Sequence, residues 1–150
     1  MGRKARVRAV AALAAGTVPL AFGVGQAGAD ELFSQSFIQD HTFTTADGRQ
    51  VTCTFSGESN LFRPTGQEAF QADALTDVSG ADPACGSTFV HVVVTYADPA
   101  GRRKTSGANS IDGDVQWFAD DVGGEFRVQH GVEFEDCRAN CSASAVTAPK

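Results

Sequence analysis

Apolar and polar residues alternate along most of the chain beyond Phe33. The alternation is strongest from Thr88 to Tyr96, Thr-Phe-Val-His-Val-Val-Val-Thr-Tyr. This run is β-branched, tipped with aromatics and free of Gly and Pro, so it predicts a central β-strand. Val90, Val92, Val94 and Tyr96 share one face; Phe89, His91, Val93 and Thr95 share the other. Both faces are largely apolar, which suits an interior strand better than an edge.

The same reading places strands on either side. Phe33 to Thr45 alternates, with Phe37, His41 and Phe43 on one face, and Val51, Cys53 and Phe55 form one face of the next strand. Between them lies Ala46-Asp47-Gly48. A two-residue Asp-Gly turn would set Phe43 and Val51 on opposite faces. A three-residue loop with Gly48 in the left-handed conformation sets them together, and is therefore expected. Ser56 to Gly66 reads as a loop. Residues 68 to 78 fit a strand with Phe70, Ala72, Ala74 and Val78 inside. A helix opened by the capping box Thr65-x-x-Glu68 is the weaker reading, because the alternation runs longer than the helical pattern.

Beyond the central strand, Asp98-Pro99-Ala100-Gly101 is a turn, and Arg102 to Ile111 pairs back with its small residues facing the valines. Asp112-Gly113 turns into Asp114 to Asp121. Gly123-Gly124 reads as a two-residue hairpin that sets Trp117 across from His130 and Val115 across from Val132. These turns predict an antiparallel meander over residues 88 to 134. The whole is expected to be all-β: an antiparallel two-sheet β-sandwich, immunoglobulin-like in architecture, of about seven strands.

The amino terminus breaks this pattern. Arg3, Lys4, Arg6 and Arg8 precede an apolar stretch from Ala9 to Val24, and Ala27-Gly28-Ala29 fits a small-x-small cleavage site. Residues 1–29 thus read as a helical signal peptide, and residues 30–150 as a single exported domain with no membrane attachment after cleavage. The leader carries four basic and no acidic residues. Without it eight basic residues face eighteen acidic ones, a net charge of −10 rather than −6. Such a surface repels nucleic acid and anionic lipid.

All four cysteines, Cys53, Cys85, Cys137 and Cys141, follow the leader. An even count in an exported chain predicts two disulfides. Cys137 and Cys141 are close enough to close a small loop, which leaves Cys53 for Cys85. In the chain-entropy model the long loop is worth roughly 3.5–4 kcal/mol and the short one about 2 kcal/mol. A zinc site lacks its usual C-x2-C spacing here.

Candidate chemistry rests on three histidines, His41, His91 and His130. No G-x-S-x-G, H-x-H or H-E-x-x-H element accompanies them, so neither a nucleophile elbow nor a zinc motif is present. His130 falls mid-strand on an apolar face and reads as a core histidine packed against Trp117. His41 and His130 fall on faces that could meet in one core. Asp112-Gly113-Asp114 with Asp120-Asp121 is the densest acidic patch, but it lacks calcium-loop spacing and reads as turn aspartates. Trp117 and Tyr96 read as core aromatics. No cofactor or metal is expected.

The primary expectation is a secreted, non-catalytic module that contacts an extracellular protein or an envelope component. The alternatives are a secreted hydrolase or metal-dependent enzyme using His41 or His91, and an extracellular protease inhibitor presenting the Cys137–Cys141 loop.

Overall fold

The computed structural model describes residues 29–150. The leader expected over residues 1–29 lies outside them, apart from Ala29. Eight strands follow in order: β1 Ala29–Thr44, β2 Gln50–Pro64, β3 Phe70–Ser79, β4 Thr88–Ala97, β5 Arg103–Ser110, β6 Asp114–Val122, β7 Gly124–Phe134 and β8 Ser142–Thr147. A single 3₁₀ turn, Pro83–Gly86, precedes β4. One antiparallel sheet runs β1-β2-β3-β6 and the other β5-β4-β7-β8. Their inner faces meet in one core of Phe43, Phe55, Val90, Val92, Val94, Val128, Val132 and their neighbours. This is the expected sandwich. Its strand order is its own: immunoglobulin domains place the fifth strand beside the second, whereas here β3 takes that position.

The local rules work where they concern which way a side chain faces. In β4, Val90, Val92 and Val94 are buried and Tyr96 nearly so. Phe43 pairs with Val51 across a three-residue loop, and Gly48 takes φ +91°. Residues 70 to 79 are a strand. Gly101 takes φ +79° in the turn after β4, where the buried Asp98 carboxylate accepts from the N–H groups of Ala100 and Arg102. That carboxyl is held low, first by the Arg102 backbone N–H.

They fail where they concern which strand is the partner. The meander over residues 88–134 does not form. After the β4–β5 hairpin, the Asp112-Gly113 turn carries the chain into the other sheet, where β6 pairs with β3. The chain then crosses back, and β7 pairs with β4 and β8. Trp117 therefore stands opposite Ala74, not His130. Gly123-Gly124 is a corner between sheets. Neither glycine has the positive φ that a two-residue hairpin turn requires. Gly123 is needed for close approach instead, because a Cβ there would lie 2.4 Å from the Asp98 carbonyl oxygen.

The loop expected over Ser56 to Gly66 is mostly strand, and the strand count is one higher than expected. Ser56 to Pro64 continues β2, and β8 adds an eighth strand to the seven expected.

Both expected disulfides are present, with Cα separations of 5.7 Å for Cys53–Cys85 and 5.4 Å for Cys137–Cys141. Such bridges belong to an oxidising, non-cytosolic environment. Among the described residues no helix is long and apolar enough to cross a membrane. Replacing Cys53 and Cys85 together by alanine is expected to lower the unfolding free energy by about 4 kcal/mol, and replacing Cys137 and Cys141 by about 2 kcal/mol. Urea unfolding followed by Trp117 fluorescence measures both.

Candidate functional site

The three histidines occupy three unrelated settings. His130, on β7, is fully buried. Its Nδ1 lies 2.8 Å from Thr76 Oγ1 on β3, and its Nε2 lies 2.9 Å from Thr147 Oγ1 on β8. Ser59 Oγ on β2 donates to Thr147 Oγ1 at 2.5 Å. Ser59, Thr76 and Thr147 are themselves almost wholly inaccessible. A neutral imidazole has one donor and one acceptor, which two hydroxyls satisfy whichever nitrogen carries the proton. Phe37 packs edge-on against the ring at 5.1 Å between centroids. Gly57 completes the slot: a Cβ there would lie 2.7 Å from Nδ1 and 2.6 Å from Phe37 Cε1.

Burial pushes the His130 pKa down to about 4, opposed only in part by a hydrogen bond with the Leu75 backbone. The expected neighbour, Trp117, is elsewhere. It packs against Tyr96 and Phe126 and donates from Nε1 to Ser106 Oγ at 3.0 Å. Trp117 and Tyr96 are core aromatics, as expected.

His41 lies near the end of β1. Its ring stacks on Phe134 at 5.4 Å and its Nε2 is 2.7 Å from the Asn140 carbonyl oxygen. The Cys137–Cys141 loop is also fastened to β1 by backbone bonds, Thr44 N–H to Ala139 O and Arg138 N–H to Thr44 O, each 2.9 Å. The loop is thus docked against the strand. His41 and His130 do not meet. His41 stands opposite Cys53, and His130 adjoins Gly57, four residues and about 13 Å farther along β2.

His91 lies on the outer face of the second sheet, over Gly131 of β7. A Cβ at Gly131 would come within 2.2 Å of His91 Nε2. His91, Val132, Glu133, Ser142, Ala143 and Ser144 line a shallow depression of about 220 Å³. His91 Nδ1 is buried and has no hydrogen-bond partner among the described residues. A histidine general base needs a nucleophile at one nitrogen and an orienting group at the other. Nδ1 has no orienting group, although Glu133 and two serines share the depression.

The aspartates serve structure in several ways. Asp121 pairs with Lys104 and accepts from the Tyr96 hydroxyl. Asp82 caps the 3₁₀ turn and pairs with Arg49. On the outer face of the first sheet, burial raises the pKa values of Glu58, Asp73 and Asp77; the Asp73 charge adds to the effect on Glu58, and the Asp114 charge to that on Asp77. Among the described residues no three His, Cys, Asp or Glu side chains are grouped to hold a metal ion.

The His130 slot makes stability depend on pH. The folded pKa lies below the ordinary value of 6.5, so the folded state binds fewer protons than the unfolded chain. Its contribution is complete above 6.5 and is lost as pH falls toward about 4, a change of about 3 kcal/mol. The raised carboxylates oppose it, since they add stability as pH falls. Comparing the pH profile of urea unfolding with that of His130→Gln isolates the imidazole. The variant is expected to lose about 3 kcal/mol less between neutral pH and pH 4.

No protein-family model matches the chain, and neither a curated protein nor a solved structure matches it.

Proposed function

We propose that the protein is a secreted, disulfide-stapled binding module that acts by surface contact with an extracellular protein or an envelope component. The N-terminal leader pattern and the two disulfides support export. One observation carries the contact reading: the outer face of the β4–β7–β8 ribbon presents a contiguous apolar and aromatic group. Val93, 38% exposed, and Val146, 44% exposed, flank Gln129 in one row of the ladder. In the next rows His91 lies over Gly131, and Phe89 stands beside His91 with ring centroids 5.8 Å apart. The His91 ring fills the space over Gly131 and, with Glu133, Ser142 and Ser144, borders a shallow depression beside this group. Exposed apolar residues beside a concavity, with Gln129 between them and Arg127 and Glu133 at the sides, are arranged as contact surfaces are.

The purified secreted protein is expected to bind envelope material from its own source saturably. Val93→Glu and Val146→Glu replace exposed side chains, so they are expected to leave the melting temperature unchanged and to weaken binding by at least about tenfold. Absence of saturable binding, or binding indifferent to both changes, overturns the proposal.

A further inference from the structure

Each sheet ends in two edge strands, β1 and β6 in one and β5 and β8 in the other. An edge strand offers unpaired backbone groups to any passing strand, and stable proteins blunt it with charge, Pro, bulges or shortness; the bulge of β1, at Leu32, lies at the start of the strand and leaves the rest of its ladder regular. Three of these edges are blunted. β6 carries Asp114, Asp120 and Asp121. β5 opens with Arg103-Lys104 and contains Gly107. β8 has six residues. β1 has sixteen, and from Leu32 to Gln39 it reads Leu-Phe-Ser-Gln-Ser-Phe-Ile-Gln, without a charge, Gly or Pro. Ile38 on this run is 65% exposed, and Phe33 and Phe37 are only partly buried on its inner side.

The free direction of this edge follows from Thr44, whose N–H and C=O both bond away from β2, to Ala139 and Arg138. Backbone groups alternate along an antiparallel strand. Ser34, Ser36, Ile38 and Asp40 therefore turn their N–H and C=O groups to the same side. No backbone bond reaches these four residues from that side among the described residues. The docked loop closes the edge at Thr44 and leaves it open toward the start of β1.

We infer that this open edge is a self-pairing surface, where a second copy of the chain adds its own β1 antiparallel about a two-fold axis at Ser36. The register is selected by what surrounds it. The β1 ladder is regular from Phe33, just past a bulge at Leu32, to Gln39, the residue before Asp40; this uncharged run is centred on Ser36, so Ser36 faces Ser36, Ser34 faces Ile38 and Phe33 faces Gln39. Centring the pair on Phe37 would bring Asp40 into the ladder opposite Ser34 and carry Phe33 to His41, which the docked Cys137–Cys141 loop holds through Asn140. Centring it on Gln35 would carry the partner's Ile38 and Gln39 past Phe33 into the bulge at Leu32. The pairing joins two four-stranded sheets into one continuous sheet and extends the cover over Phe33 and Phe37.

The test is the mass of the secreted protein by sedimentation velocity over a dilution series. Wild type is expected to show twice the monomer mass and to dissociate on dilution. Ser36→Pro removes only an N–H that points away from β2. Ile38→Lys adds an edge charge without touching the backbone, and guards against a proline variant that fails to fold. Both are expected to remain monomeric with the wild-type melting temperature, while Val93→Glu on the other sheet still dimerises. A wild type that stays monomeric overturns the inference, as does a dimer that survives Ile38→Lys. A monomer that loses envelope binding on Ile38→Lys would assign the edge to a foreign strand and overturn self-pairing. Envelope binding retained by Ile38→Lys leaves the β4–β7–β8 reading to its own test.

Discussion

A histidine sealed between two sheets imposes the constraint on which this structure depends. A buried imidazole without partners costs several kcal/mol, and one with partners is close to neutral. His130 therefore requires hydroxyls at defined positions on two different strands, Thr76 on β3 and Thr147 on β8. Ser59 on β2 completes the chain through Thr147. These four residues tie together two strands from each sheet. A slip of one residue in any of them would turn a hydroxyl outward and leave a buried polar atom unpaired. The network thus fixes register between strands that are far apart in sequence.

The rest of the sandwich accommodates that centre. Gly57 vacates the volume that the ring and Phe37 occupy. Ala143 and Ala145 on β8 face inward and are small, which lets β8 lie close to β1 and β2 of the opposite sheet. Away from the network the core is mostly apolar. On one side lie Phe43, Phe134 and the Cys53–Cys85 bridge; on the other lie Tyr96, Trp117 and Phe126. The Cys137–Cys141 loop closes the end of the sandwich nearest His41 by its bonds to Thr44.

The network also explains what could be read in the chain and what could not. The alternation of β4, the Phe43–Val51 hairpin and the strand at residues 70–79 were legible because large apolar residues mark their inner faces. Ser56 to Pro64 and β8 were not, because apart from Leu61 their alternating inward residues are Gly57, Ser59, Ala143, Ala145 and Thr147. Such residues are the ordinary signature of loops, and only their proximity to His130 turns them into core. The β6 and β7 partners were missed for a different reason. Parity tells which face of a strand points inward, and both a hairpin and a corner keep the inner faces inside. Choosing between them depended on Gly123 approaching Asp98, a contact between chain segments with no local signal. The His91 depression was hidden in the same way, since Gly131 matters only for the ring that lies across it.

The two outer faces of the sandwich are chemically unlike, and the difference bears on which can make contacts. The first sheet shows Glu58, Asp73 and Asp77, with pKa values already raised by burial. Covering them further would deepen that penalty unless a cation came with the partner. The outer face of the second sheet has Phe89, His91, Val93 and Val146 beside its polar positions, so covering it removes apolar surface from water. The β1 edge belongs to the acidic sheet, but its regular run from Phe33 to Gln39 has no charge. Backbone pairing over that run sets no carboxylate against another, while the acidic faces of both copies remain in water, where salt screens their repulsion. Contact through one face and pairing along one edge are therefore compatible in a single molecule, because neither requires its carboxylates to be buried.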